Sequence, residues 1–100
     1  MRANARFDEA IHAPTRLRLC AMLRPLAQAD FAAIAATLDL SEANLSKTIK
    51  NLVDLGYLTT SKQASPERAD ARHTTTVKLT AHGRRAFDGH LAALRAMAGD

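Results

Sequence analysis

Apolar residues recur at helical spacing in several stretches of the chain and give way once to strand-like sequence. Phe7 and Ile11, four positions apart, predict a short N-terminal helix that ends or kinks near Pro14, where the ring removes a backbone donor. Leu19, Met22, Leu23 and Leu26 form the next apolar stripe, interrupted by Pro25. Asp30 is suited to cap a third segment, in which Phe31, Ile34, Ala35 and Leu38 fall at i, i+3, i+4 and i+7.

The best-marked boundary follows. Ser41 can accept a bond from a backbone amide of the first helical turn, which otherwise lacks a partner. Leu40 before it and Leu45 after it make a hydrophobic staple, and Glu42 favours the positive end of the helix dipole. This helix runs to Leu55 and stops at Gly56. Tyr57–Thr60 and Thr74–Leu79 are rich in β-branched residues, with a polar stretch carrying Pro66 between them, so they predict a hairpin. Thr80 reads as an N-cap, and Phe87, Leu91, Leu94 and Met97 give the last helix its stripe. The expected fold is one domain over residues 1–100, mainly α with a small β-hairpin, an α+β arrangement.

Composition agrees: hydrophobic residues make up 47% but aromatics only 4%, with alanine abundant, which suits closely packed helices. No run of about 18 apolar residues is present to span a membrane, and the N-terminus lacks a signal-like apolar core. A single cysteine, Cys20, cannot form an internal disulfide, in keeping with a cytoplasmic location. The net charge of +4 is unevenly placed. Ser41 to Arg85 carries eight basic and four acidic residues, while the rest of the chain balances six against six. Such segregation is expected of a surface that meets a polyanion, although an ordinary basic surface would look the same.

A short helix, a three-residue connection and a second helix with a polar outer face is the helix-turn-helix plan. At about 100° per residue, Leu45, Ile49 and Leu52 share one side, with Thr48 and Leu55 at its edge. The opposite side presents Ala43, Lys47, Lys50 and Asp54, flanked by Ser46 and Asn51. Alanine lets a backbone approach and can touch a thymine methyl, while serine, asparagine and lysine bond base edges or phosphates. Ala43, Asn44, Ser46, Lys47, Lys50 and Asn51 are therefore the candidate DNA-reading residues, against the plainer reading of a solvated helix face. In the hairpin, Lys62, Arg68 and Arg72 surround a polar tip that in such a domain would reach the minor groove or backbone. Arg84 opens the last helix, where positive charge gains nothing from the dipole; a phosphate or a neighbouring element would explain it.

Taken in order, these segments resemble the small winged-helix regulators of the MarR/ArsR-like superfamily. His12 to Leu19 looks like the family's opening helix, Leu40 to Leu52 its recognition helix, Gly56-Tyr57-Leu58 the entry to its wing, and Thr75 to Arg84 (TTVKLTAHGR) its exit into the last helix. The resemblance implies a winged helix-turn-helix fold and carries Asn44, Ser46, Lys47 and Lys50 over as DNA-reading positions. Thr48 stands where relatives often have histidine, the wing is thinner in arginine, and the paired cysteines of metal-sensing relatives are missing.

No cofactor is expected. The histidines His12, His73, His82 and His90 and Cys20 show no ligand spacing for zinc. Neither a phosphate loop nor a nucleophile elbow points to an enzyme. A radius of gyration near ~13 Å lets one copy read a single half-site, since successive ones lie about 34 Å apart. A homodimer is therefore expected, with Phe7, Ile11, Phe87, Leu91, Leu94 and Met97 at its interface. The expectation is a homodimeric, sequence-specific regulator on double-stranded DNA. The alternatives are a winged-helix module that docks an acidic protein and, further off, an effector- or metal-responsive sensor; no residue pattern requires a small-molecule effector.

Overall fold

The computed structural model describes residues 4–64 and 73–99. The elements run α1 (Glu9–His12), α2 (Pro14–Leu23), β1 (Ala29–Asp30), α3 (Phe31–Leu38), α4 (Glu42–Asp54), β2 (Leu58–Ala64), β3 (His73–Leu79) and α5 (Ala81–Met97). The predicted helices are all present, with adjusted ends. Phe7 does not lie on α1: Asp8 caps that helix, its carboxylate accepting the Ile11 amide, so Phe7 precedes it. Pro14 occupies the first turn of α2, where its missing donor costs nothing. α2 closes at Leu23, which leaves Leu26 exposed.

The three-residue turn between α3 and α4 is fixed at both ends by local bonds. Asp39 adopts a left-handed conformation (φ 55°), and the amide of Leu40 reaches the Ala35 carbonyl at 2.9 Å, closing α3 as a Schellman motif. Ser41 then caps α4, its hydroxyl accepting the Asn44 amide at 3.1 Å. Leu45 is fully buried and Leu40 packs partly against the core, as a staple requires. Asp30 starts α3 without a side-chain cap bond, contrary to its expected role. The C-terminal end of α4 repeats the Schellman pattern around Gly56 (φ 81°): its amide reaches the Val53 carbonyl, and the Tyr57 amide reaches Leu52, both at 2.9 Å.

The hairpin strands pair antiparallel with Leu58 opposite Leu79 and Lys62 opposite Thr75. A third strand, absent from the sequence expectation, joins the outer edge of β3 through Ala29–Val77 and Asp30–Thr76. One core unites the helices and sheet: Ile11, Leu19, Leu23, Ile34, Leu45, Leu52, Leu58, Val77 and Phe87 are buried together. Losing one such leucine to alanine typically costs about 2–5 kcal/mol. Ile11 (0% exposed) and Phe87 (5%) are therefore corrected from interface to core, because neither side chain reaches the surface. The α5 stripe turns outward along the helix, from buried Phe87 through half-buried Leu91 and Leu94 to exposed Met97. Among the described residues, no helix is long and apolar enough to cross a membrane.

Candidate nucleic-acid interface

α4 separates its faces sharply. Leu45, Thr48, Ile49 and Leu52 are buried, whereas Ala43, Asn44, Ser46, Lys47 and Lys50 are exposed and Asn51 is half-buried. Thr48 lies deeper than its edge position suggested; its hydroxyl donates back to the Asn44 carbonyl at 2.9 Å, which satisfies the buried oxygen. Lys50 pairs with Asp54 at 3.3 Å across one helical turn. Both partners are well exposed, so the pair is worth little and the lysine can change partner at small cost.

The hairpin extends this surface. A cavity of about 500 Å³ runs between α4 and the sheet, with Ser46 and Lys50 on one side, Lys62 and Thr75 on the other, and Phe31, Ile49 and Val53 among its apolar walls. The structure thus brings Ser46, Lys50 and Lys62 to one concave site. Phe31, Val53, Thr60 and Thr75 were not among the site residues expected from the sequence. Strand alternation puts Thr60 and Lys62 on one face, but only the pairing register adds Thr75 beside Lys62. Arg68 and Arg72 lie outside the described residues.

Arg84 has a different task. Its guanidinium donates to the carbonyls of Arg24 and Leu26, both at 3.1 Å, and so satisfies backbone just beyond the end of α2. Arg84, expected at the DNA surface, is half-buried and directs two guanidinium nitrogens to these carbonyls. Other arginines also bond within the fold. Arg18 donates to the Leu38 carbonyl at the end of α3, Arg16 to the Ala10 carbonyl at the end of α1, and Arg24 forms a two-bond pair with Asp88. The guanidinium beside Asp88 holds that carboxyl below its usual range, outweighing partial burial. Among the described residues, Lys47, Lys50 and Lys62 are exposed cations on α4 and β2.

Cys20 is buried, and burial, with the Asp8 carboxylate adding, pushes its thiol up to about 12. A thiol held protonated in this way is neither a ready nucleophile nor a ready metal ligand near neutrality. Among the described residues, no group of three or more His, Cys, Asp or Glu side chains is placed to hold a metal ion.

The family model for the winged helix DNA-binding domain matches residues 15–98, from the start of α2 through the end of α5. The chain belongs to the winged helix DNA-binding domain family. Its β2–β3 hairpin is the wing, and α4 occupies the place of the recognition helix. Among solved structures it is similar to a transcriptional regulator homologue from Pyrococcus horikoshii OT3, at 27% identity and a TM-score of 0.83, over 92% of this chain and 87% of that one. It also resembles a MarR family transcriptional regulator from Silicibacter pomeroyi DSS (24% identity, TM-score 0.66, 91% of this chain). A third similar structure is that of overoxidized AbfR bound to DNA (17% identity, TM-score 0.67, 84% of this chain). The winged-helix chain spans only 57% and 58% of the lengths of these last two. No curated protein is significantly similar to it in sequence. The fold is the winged helix that the order of segments in the sequence implied.

Proposed function

We propose that this chain is a transcriptional regulator that binds double-stranded DNA sequence-specifically, as a homodimer on a pseudo-palindromic operator. The observation that carries the reading is the divided surface of α4. Its apolar side is anchored in the core, and Ala43, Asn44, Ser46, Lys47 and Lys50 stand in solvent along one stretch of helix. A rigidly held helix with a small residue near its N-terminus and lysines farther on fits a major groove. Lys62, across the cavity from Lys50, extends the basic track toward the backbone. That a chain of similar fold has been seen bound to DNA supports DNA binding. The homodimer is supported by the outward-turned end of α5, where Leu94 and Met97 leave apolar surface beyond the core.

Selection of bound duplexes from a random pool tests binding, symmetry and spacing together. The expected product is an inverted repeat whose half-sites lie about 10 base pairs apart, centre to centre. Recovery of no duplex at low salt would reject DNA binding and leave the acidic-protein reading, whereas a single unrepeated site would reject the dimer.

A further inference from the structure

Away from α4, a second polar cluster joins the N-terminal segment to α5. His90, on α5, is fully buried. Its Nδ1 accepts the backbone N–H of Asp8 at 2.9 Å. A ring nitrogen that accepts from an amide carries no proton, so the proton of neutral His90 sits on Nε2. That nitrogen lies 3.2 Å from Nδ1 of His12 and donates to it. Asp8 is held in the same cluster, its carboxylate accepting the Ile11 amide at 3.0 Å and the Tyr57 hydroxyl. The Phe7 ring covers both imidazoles, with centroids 4.7 Å from His90 and 4.9 Å from His12. Gly89 permits the close approach: a Cβ there would stand 2.9 Å from the Asn4 carbonyl oxygen. The Arg6 amide donates to the Gly89 carbonyl at 2.9 Å beside it.

We propose that His90 is a pH-operated latch, which holds residues 4–8 against α5 while its ring is neutral and releases them when it is protonated, Ile11 staying in the core. Protonation would place an N–H on Nδ1, directly facing the N–H of Asp8. Two donors would then meet where a bond had been, around a buried charge. The groups that face the ring are His12 and Asp8; Tyr57, Arg6 and Cys20 lie around Asp8. Burial lowers the affinity of His90 for a proton below its usual value of 6.5, and His12 lowers it further, against the pull of Asp8. The released state, with the ring in water, binds the proton more readily than the latched state. Latching is therefore complete above the ordinary value of 6.5 and is lost as pH falls through the lower latched-state value.

Tyr57 is the single tyrosine of a chain without tryptophan, and its hydroxyl donates to Asp8. A carboxylate bonded to a phenol is expected to quench its emission, which makes Tyr57 a reporter of the latch. In the full chain, lowering the pH from about 8 to about 5 is expected to raise Tyr57 emission, with a matching loss of Asp8 amide protection from hydrogen exchange. His90→Gln keeps an acceptor for Asp8 and a donor for His12 but cannot titrate, so its emission should stay flat and quenched. An invariant wild-type trace, or a transition that persists in His90→Gln, would overturn the proposal. So would a wild-type NMR titration in which the His90 ring protonates while the Asp8 amide stays protected, a result independent of whether the variant folds.

Discussion

Gly83 faces the carbonyl of Tyr57 so closely that any Cβ there would overlap the carbonyl oxygen. The same carbonyl accepts the Thr80 amide at 3.0 Å, and the Tyr57 amide donates to Leu52 at 2.9 Å. The end of α4 and the start of α5 are thus clamped on one residue. That contact sets the angle between α4 and the helix that carries Leu94 and Met97. Gly83→Ala is expected to destabilise by about 3 kcal/mol or more, because the obstacle is backbone and cannot turn aside. In a domain of this size that corresponds to a loss of roughly 12 °C or more in Tm, read by calorimetry.

Arg84 separates stability from recognition. Arg84→Ala removes the bonds to the carbonyls of Arg24 and Leu26, both within reach of water, which should cost about 1 kcal/mol in urea unfolding. DNA affinity at a temperature where the variant is folded, and its salt slope, should stay as in the parent. A changed slope would return Arg84 to the interface.

Lys47 and Lys50 make the converse case. Both are exposed, and the Lys50–Asp54 pair contributes little, so Lys47→Ala with Lys50→Ala should leave unfolding within about 0.5 kcal/mol of the parent. If both contact phosphates, the slope of log K against log salt should shrink by about 1.8 per protomer. Fluorescence anisotropy over a range of salt measures this, and an unaltered affinity would mean that another face of α4 meets DNA.

At the far end of α5, Met97 is 70% exposed and Leu94 is half-buried. Met97→Glu should weaken self-association without disturbing the core, and Leu94→Glu should abolish it. Sedimentation velocity reads the mass directly. A parent that already sediments as a monomer, or a double variant that remains a dimer, would displace the interface from this helix.

The elements legible in the sequence are those whose stabilising bonds are local. Between Ser41 and Gly56 each cap bond closes within a few residues: Ser41 to Asn44 at one end, Leu52 to Tyr57 at the other. The residue types at those positions therefore carry the geometry with them. The same holds for Thr80, which caps α5 through the Gly83 amide at 2.9 Å. The outer face of α4 followed from period alone, once Leu45, Ile49 and Leu52 were read as its inner side.

What the sequence left open depended on partners far along the chain. β1 has two residues, too few for any periodic signal, and exists only because Val77 and Thr76 offer a free strand edge. Arg84 finds its carbonyls about sixty positions away, and His90 finds the Asp8 amide 82 positions away. An apolar stripe announces burial but not against what, so Ile11 and Phe87 could equally have faced a second copy until the tertiary fold enclosed them. In this winged helix, local chemistry determined the helices, their caps and the polar face of α4. Only the packing of distant segments decided which apolar residues remain outside, which arginines are spent on carbonyls, and that a buried histidine ties the N-terminus to α5.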